Sequence, residues 1–537
     1  MKPTLLILHS LFFSVAHFYS PSPCEKRYFV KESHQFMVCM CNSTYCDDFP
    51  ALGTIDDDAA AVYVSSKSGK RFEKSTISWT TAKKNLFSGE GVRPKKRVRI
   101  TPKNRMQTMI GFGGAFTDAA GINIASLDKE TQEQIMQAYY GQNGIQYSIG
   151  RVTMASTDFS TREYSYDDVD GDFTLEHFAL APDDFQFKIP YIKRAVKLTG
   201  GDLKLFGVAW SAPGWMKTSG RMKGGGGLKN TSDGIYEQAL ARYYVRFLEE
   251  YDRNGVKFWG LSVMNQPVTA EDPDFTWQST YFSPEQERDF IKYALGPILR
   301  NSTIGRDITL IAIDDQRPAI LSYAKAIYSD PVASSYTAGT GIHWYLDMFA
   351  PVGVYTLTHK AWPDKFILAT EACVALVPVL GNWTNADKYA ASIISNLNNW
   401  VTGWTDWNIA LDTKGGPNWV NNFADSPIII DASKGEFYKQ PMFYVMGHFS
   451  KFIRPGSVRI GLSMEEDDEL EGVAFSTPAE QNVLVVRNAH SHHTYNLEID
   501  VADRPGQVLH VSVEPDSITT IVWKEVRQYL NFGSFVI

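Results

Sequence analysis

The sequence has 537 residues, with 52 Lys and Arg against 60 Asp and Glu, and therefore a net charge of −8 at pH 7. The charged fraction of 21% and the aromatic fraction of 13% exclude a disordered, collagen-like or coiled-coil chain. The slight acidic excess also argues against a nucleic-acid partner, since nucleic-acid-binding proteins normally carry a basic face. At roughly 100–200 residues per domain, the length allows about three domains, or one large α/β barrel with an appendage.

The chain begins with a segment typical of a secretory signal peptide. Lys2 precedes an apolar stretch from Leu5 to Ala16 that is too short to span a bilayer, and Ser and Pro residues follow it. Cleavage after Ala16 or after Ser20 fits this pattern. An uncleaved anchor is the alternative, but no later stretch reaches the ~18 uninterrupted apolar residues that a membrane helix needs. We therefore predict that residues 1–20 are a signal peptide and that the mature protein is soluble.

Four of the five cysteines lie close together at the start of the predicted mature chain, and Cys373 stands alone. The four are Cys24, Cys39, Cys41 and Cys46. In a secreted protein such a group predicts two disulfide bonds, and Cys24–Cys39 with Cys41–Cys46 is one of three possible pairings. A zinc site is the competing interpretation, which the lack of suitable ligand spacing nearby disfavours.

Asparagine sequons of the form Asn-x-Ser/Thr are expected to carry glycans in a protein that enters the secretory pathway. They begin at Asn42, Asn230, Asn301 and Asn382.

From about residue 108 to residue 408, apolar β-branched segments alternate with amphipathic helical patterns. The predicted strands are Met109–Phe116, Gln146–Met154, Leu203–Trp210, Lys257–Asn265, Ile308–Ile313, Gly341–Tyr345, Phe366–Glu371 and Val401–Trp407. The predicted helices include Lys129–Tyr140, Tyr236–Tyr251, Pro284–Leu299 and Asp387–Trp400. This alternation predicts a (β/α)₈ barrel, whose chemistry lies at the C-terminal ends of the strands.

The two flanks of the barrel region contain short alternating strands instead. Residues 60–100 and 457–525 show little helical periodicity and have turns between their apolar segments. We predict that the two flanks pair as one β-sandwich built from both ends of the chain.

Polar and aromatic residues stand at the ends of the predicted barrel strands, where a packed core would not favour them. They are Asp158, Trp210, Asn265, Gln266, His343, Trp344, Tyr345, Glu371, Trp404, Trp407 and Asn408. Any one of them fits a structural role equally well. Together at one barrel mouth they predict a sugar site, because aromatic faces pack on a pyranose ring while Asp and Asn bind its hydroxyls.

Several of these motifs resemble the lysosomal acid β-glucosidases, or glucosylceramidases, of glycoside hydrolase family 30. The matching segments are 111–120, 155–160, 343–347, 370–374, 403–408, 415–419 and 438–444, in the same order as in the family. The resemblance extends from Cys24 to about Trp523 and implies an α/β fold, a TIM barrel with a β-sandwich and a small disulfide-bonded β domain. It implies domains at 21–54 plus about 409–441 for the small domain, at 55–100 plus 457–525 for the sandwich, and at 101–408 plus 442–456 for the barrel.

The resemblance also implies a function and the residues that perform it. The substrate would be glucosylceramide, hydrolysed at a membrane surface in the lysosome with a saposin-type activator, and the retaining mechanism needs no metal or cofactor. Glu371 resembles the family's nucleophile. The residues implied to bind substrate are Asp158, Trp210, Asn265, His343, Tyr345, Trp407 and Asn422.

The sequence departs from the family at the general acid/base. The family has Asn-Glu-Pro at the end of strand four, and this chain has Asn265, Gln266 and Pro267. Glutamine can hold a hydrogen bond but has no acidic proton, so we expect weak turnover. Three explanations stay open: a glycolipid-binding relative that has lost catalysis, an engineered or erroneous residue, or a substitute carboxylate. The nearby candidates for a substitute are Glu271, Asp272 and Asp274.

Overall fold

The structure is a computed structural model that describes residues 21–31, 33–82, 95–375, 377–465 and 467–526. The predicted signal peptide, residues 1–20, lies outside the described residues. No helix in the described ranges is long and apolar enough to cross a membrane.

Within the described residues, eight parallel strands close into a barrel, which confirms the predicted fold. The strands are β1 Gly111–Phe116, β2 Ile149–Met154, β3 Lys204–Ala209, β4 Gly260–Ser262, β5 Thr309–Gln316, β6 Gly339–His343, β7 Phe366–Glu371 and β8 Val401–Asn408. Each strand pairs with its neighbours in sequence, and β8 pairs with β1 to close the ring. All eight C-terminal ends therefore open on one face, where the predicted site residues are placed.

Most strand bounds differ from the prediction by one to three residues, and the differences in the fourth and sixth strands affect the placement of site residues. The fourth was predicted as Lys257–Asn265, but β4 covers only three residues. Its extension is blocked because Gln266 has a left-handed backbone with φ of 45° and Pro267 begins a 3₁₀ turn. The sixth ends at His343 and not at Tyr345, so Tyr345 belongs to the loop that follows.

Helices pack around the barrel. They are Asp118–Ala125, Lys129–Tyr140, Ile189–Leu198, Ile235–Arg253, Pro284–Phe290, Gly296–Asn301, Ile320–Tyr328, Pro331–Tyr336, Gly353–Ala361, Trp383–Asn398 and Pro441–Ser450. The helix predicted over Pro284–Leu299 is interrupted by a π-helical turn at Ile291–Leu295, before Pro297, whose ring cannot donate a helical hydrogen bond. The helix between β7 and β8, Trp383–Asn398, begins four residues earlier than predicted because the Asn382 side chain caps it.

The two flanks of the barrel region combine in one large sheet, as predicted for the sandwich. In the described part of the chain a ten-stranded sheet has the order Glu73–Ser78, Ala59–Ser66, Ser517–Lys524, Gln481–Asn488, Leu470–Ser476, Val458–Met464, Lys95–Thr108, Tyr495–Val501, Gln507–Val513, Thr80–Thr81. A second sheet of five strands has the order Lys26–Lys31, His34–Cys41, Glu436–Lys439, Ile428–Asp431, Leu411–Asp412. The boundaries of the three-part division stay a prediction.

The small N-terminal region contains disulfide bonds Cys24–Cys39 and Cys41–Cys46. These bonds leave no thiolate among the four cysteines for a zinc ion. Cys373 is buried with a free thiol. Of the sequon asparagines, Asn230 and Asn301 are exposed, while Asn42 and Asn382 are half-buried.

Candidate active site

A cavity of about 300 Å³ opens at the C-terminal ends of the barrel strands. Most of the predicted site residues line it, and they come from six strand ends and one later loop. The lining includes Asp158, Trp210, Asn265, Gln266, Tyr345, Glu371, Trp407 and Asn422. His343 is an exception, because its side chain lies behind the wall and is 1% exposed.

Glu371 ends β7 with its carboxylate held by two donors. The hydroxyl of Tyr345 donates to Oε1 at 2.8 Å, and a guanidinium N–H of Arg151 donates to Oε2. The glutamate is only 5% exposed, so the two donors fix its orientation in the cavity wall. A fixed, doubly hydrogen-bonded carboxylate that faces a cavity is suited to attack a bound electrophilic carbon.

Arg151 organises the charges beneath the cavity. Its Nη2 donates to Oδ2 of Asp314 at 2.9 Å and to Oδ1 of Asn265 at 2.8 Å. Burial lowers the pKa of Arg151, but the charges of Asp314 and Glu371 outweigh burial and raise it above its ordinary value. Burial likewise raises the pKa of Asp314, but the charge of Arg151 and the hydrogen bond with His343 outweigh burial and hold that pKa below its ordinary value. Both side chains therefore stay ionised.

Sequence reasoning missed Arg151 and Asp314. Arg151 is the one charged residue in the buried strand β2, between Ile149 and Met154. Asp314 follows directly after Ile313, where strand five was predicted to end. A charge within an apolar strand and an acid at a strand's C-terminal end were the signals that could have identified both.

Gln266 is held in an unusual backbone conformation beside Glu371. Its φ of 45° is left-handed, which costs a non-glycine residue on the order of 1–3 kcal/mol and persists only where neighbours fix it. Its backbone N–H donates to the backbone carbonyl of Asp314 at 2.9 Å, and the hydroxyl of Thr269 donates to the backbone carbonyl of Gln266 at 2.7 Å. These contacts aim the side chain into the cavity.

The amide of Gln266 and the carboxylate of Glu371 flank the same imidazole. Nδ1 of His343 lies 2.9 Å from Nε2 of Gln266 and 3.9 Å from Oε1 of Glu371. Nε2 of His343 lies 2.9 Å from Oδ1 of Asp314. Both cavity side chains therefore lie next to the same nitrogen of His343.

Asp158 is the other carboxyl group on the cavity wall. Its Oδ2 accepts hydrogen bonds from the amides of Asn422 at 2.9 Å and Asn418 at 3.3 Å. Burial raises the pKa of Asp158 from 3.8 to about 7, against the lowering effect of these amides, and the charge of Glu371 adds to the increase. Clustered carboxyl and amide groups of this kind bind sugar hydroxyls.

Aromatic rings complete the cavity. The rings of Trp210 and Trp407 are stacked with centroids 4.9 Å apart, and Phe275 and Trp277 line the opening from the loop after β4. Trp404 and Trp344 were predicted at the mouth, but they pack instead on each other and on a helix, with Trp404 only 1% exposed. Positions 404 and 407 are three apart in β8, so their side chains point to opposite faces.

The acidic residues of the loop after β4 do not reach the site. Glu271, Asp272 and Asp274 are all exposed, and none of them lines the cavity. Among the described residues, Asp158 and Glu371 are the only carboxyl groups on its wall. None of the three candidate substitutes therefore replaces a carboxyl group at position 266.

Among the described residues, the one cluster of three potential metal ligands is Cys41, Cys46 and Asp47, and its two sulfurs form a disulfide bond.

The chain is similar to known glycoside hydrolases over almost its whole length. Residues 109–453 match the glycosyl hydrolase family 30 TIM-barrel domain, and residues 456–521 match the family 30 beta sandwich domain. Putative glucosylceramidase 4 of Caenorhabditis elegans is 43% identical, over 94% of this chain and 95% of the relative. Lysosomal acid glucosylceramidase of Mus musculus is 40% identical, over 97% of this chain and 99% of the relative. The crystal structure of SrfJ from Salmonella typhimurium superposes with a TM-score of 0.80 at 26% identity, over 87% of this chain and 100% of that chain.

Proposed function

Because the chain belongs to glycosyl hydrolase family 30, we propose that it is a retaining β-glucosidase that acts on glucosylceramide and releases glucose and ceramide. The observation that carries this proposal is the Glu371 carboxylate, held by Tyr345 and Arg151 in a cavity lined by sugar-binding residue types. Two glucosylceramidase relatives that are aligned over nearly their full length support the choice of substrate.

In this proposal Glu371 is the nucleophile. Its carboxylate attacks the anomeric carbon, the bond to the ceramide oxygen breaks, and a glucosyl ester of Glu371 forms. The departing oxygen takes up a proton from solvent water, because Gln266 has none to give. A water molecule then attacks the anomeric carbon and loses a proton to solvent, and the bond between that carbon and Glu371 breaks, which returns Glu371 to a carboxylate. Arg151 and Tyr345 orient this carboxylate, and the pKa of Tyr345 is raised well above 10 by burial, so its hydroxyl stays a donor.

The sugar would be bound by groups on the other walls of the cavity. Asp158 and Asn422 would bind hydroxyls, and Trp407 beside Trp210 would provide an apolar surface for the pyranose ring. Asn265, held by Arg151, would bind a hydroxyl next to the anomeric centre.

Gln266 occupies the acid/base position in this proposal. An amide cannot protonate the leaving oxygen or activate water, and general acid–base catalysis is typically worth about 10²–10⁴ in rate. Slow turnover of glucosylceramide therefore follows from the residue itself. A second candidate function, a glycolipid-binding protein with impaired catalysis, is favoured by this same observation.

A membrane surface is the expected location of the substrate. Leu346, Met348 and Phe349 follow Tyr345 at the edge of the cavity, and their exposed fractions are 42%, 84% and 70%. We call these three residues the apolar rim. Exposed apolar side chains beside a cavity mark a surface that binds lipid or protein, and here we propose a peripheral contact with lipid. Recruitment of a saposin-type activator belongs to the same proposal and rests on family resemblance.

We place the protein in the secretory pathway and the lysosome. Two disulfide bonds support an oxidising compartment, and the mouse relative is a lysosomal enzyme by name.

The nucleophile is tested with a glucoside whose leaving group needs little protonation. We expect slow glucose release from an activated aryl β-glucoside and covalent labelling of Glu371 by a mechanism-based cyclitol epoxide. Both should disappear in Glu371→Gln and persist in Glu271→Gln, which changes an exposed glutamate of the loop after β4. Neither release nor labelling in the native chain would contradict the catalytic proposal.

A further inference from the structure

A chain of hydrogen bonds runs from a buried carboxylate to the cavity through His343. Asp314 contacts Nε2 of the imidazole, and Nδ1 contacts the amide of Gln266, each at 2.9 Å. Among the described residues, the other amide atom of Gln266, Oε1, has no hydrogen-bond partner in the protein, and Gln266 lines the cavity. One polar atom of the Gln266 amide therefore contacts His343, and the other is available to a ligand in the cavity.

The first half of this chain fixes one proton. Asp314 also accepts from Arg151, and its carboxylate stays ionised, so it can only accept at Oδ1. Nε2 of His343 must then carry a hydrogen. In neutral histidine the other nitrogen, Nδ1, is an acceptor, so the NH₂ group of Gln266 donates to it. The carbonyl oxygen of Gln266 then faces the cavity as an acceptor.

A second proton on His343 reverses this arrangement. Nδ1 becomes a donor and requires the carbonyl oxygen of Gln266 as its partner. The amide meets this requirement by turning half a revolution about its last side-chain bond, a torsion with broad and roughly two-fold preferences. Its NH₂ group then faces the cavity as a donor.

Several ionisable groups surround the imidazole of His343. Asp314 and Glu371 face the imidazole from β5 and β7, and Arg151 is ion-paired to both carboxylates. One negative charge is therefore uncompensated when the imidazole is neutral, and Oε1 of Glu371 is 3.9 Å from Nδ1. The remaining titratable neighbours are Tyr345, whose ring contacts the imidazole edge-on, and Asp315.

We propose that His343 sets the hydrogen-bonding polarity of Gln266, so that the cavity binds the acceptor oxygen of a β-glucoside more tightly when His343 is protonated. The inference rests on the proposed function, in which the glycosidic oxygen lies against Gln266. That ether oxygen can only accept a hydrogen bond. It matches the NH₂ group of the protonated state and faces another acceptor in the neutral state. His343 is a positioning residue here, since it acts through Gln266.

The test compares two ligands that differ at the first carbon. Methyl β-D-glucopyranoside has the acceptor oxygen, and 1,5-anhydro-D-glucitol lacks it. Calorimetry on the full mature chain gives the ratio of their dissociation constants between pH 5 and pH 8, the range in which histidine side chains commonly titrate. We expect the preference for the methyl glucoside to be roughly three- to tenfold greater at pH 5, the change expected for one hydrogen bond. Free glucose is measured in parallel to show that the ligand stays intact.

Two variants distinguish the effect of the Gln266 amide on the ligand ratio from the effects of titrating groups elsewhere in the cavity. Gln266→Leu keeps a similar volume without an amide, and His343→Asn removes the imidazole; both should give the same ligand ratio at pH 5 and pH 8. A constant ratio in the native chain, or the same pH dependence in Gln266→Leu, would overturn the inference while the glucose site stands. Failure of both ligands to bind at any pH would overturn the proposed glucose site and this inference with it.

Discussion

The hydroxyl of Tyr345 lies 2.8 Å from Oε1 of Glu371 and donates a hydrogen bond to it. Tyr345 belongs to the loop after β6, whereas Glu371 ends β7, so a loop residue fixes the orientation of a group on the barrel. The same hydroxyl lies 3.3 Å from the sulfur of Cys373. Both contacts join the loop after β6 to the C-terminal end of β7 and the residues that follow it.

Replacement of Tyr345 by Phe should slow the chemistry and leave sugar binding nearly unchanged. The variant loses a donor to a charged acceptor, a bond worth on the order of 1.5–3 kcal/mol, so we expect kcat to fall roughly tenfold to a hundredfold. The measurements are kcat and KM for an activated aryl β-glucoside and the rate of epoxide labelling. Tyr293→Phe, on a side chain that is 63% exposed, is the matched control. A fully active Tyr345→Phe would refute the assigned role.

Arg151→Met should destabilise the fold far more than the loss of a surface ion pair. The substitution leaves Asp314 and Glu371 as two buried carboxylates without their shared cation, and breaking a buried pair in this way costs about 3–5 kcal/mol. The control is Arg194→Met, which breaks a partly exposed pair with Glu133 and should cost about 1 kcal/mol or less. Denaturant unfolding of both variants gives the comparison, and equal small losses would contradict it.

Asp158→Asn should change how stability depends on pH. Burial raises the pKa of Asp158 from 3.8 to about 7, so the folded state holds this proton more tightly than the unfolded state does. Its stabilising effect is complete below about pH 4 and is lost as the pH rises through 7. Asparagine does not titrate, so the stability of the variant relative to the native chain should increase by about 2–4 kcal/mol between pH 4 and pH 8. Unfolding free energies measured across this range provide the test, and a difference that does not vary with pH would contradict it.

The apolar rim should anchor the protein to lipid. Met348→Asp combined with Phe349→Asp places two charges where apolar side chains would enter the membrane surface, so binding to phosphatidylserine-containing vesicles should weaken roughly tenfold or more. The control is Val332→Asp, on a side chain that is 43% exposed in the helix that precedes β6, at the opposite end of the barrel. Equal vesicle binding by the rim variant and the native chain would show that another surface contacts lipid.

The sequence was sufficient to predict the barrel and most of the cavity. The spacing of apolar residues predicted the strands and helices, because each of these elements buries an apolar face. The resemblance to family motifs identified Glu371 and Gln266. The depth of His343 and the position of Trp344 could not be predicted, since the direction of a side chain at a strand end depends on where the strand stops. The spacing of Trp404 and Trp407 in strand eight, by contrast, was enough to place them on opposite faces. Arg151 and Asp314 were missed because a buried ion pair joins residues from β2 and β5, far apart in the chain.

The central claim is that this chain keeps a glucosidase site and lacks its general acid at position 266. The most direct test is the rate of glucosylceramide hydrolysis by Gln266→Glu compared with the native chain, in detergent at acidic pH. We predict an increase of about 10²–10⁴ in kcat, because the variant restores proton transfer beside the proposed nucleophile, Glu371. The increase should be much smaller for an activated aryl glucoside. Native hydrolysis of glucosylceramide at the rate of Gln266→Glu would contradict the account, and so would a variant that stays inactive while it folds and binds glucoside.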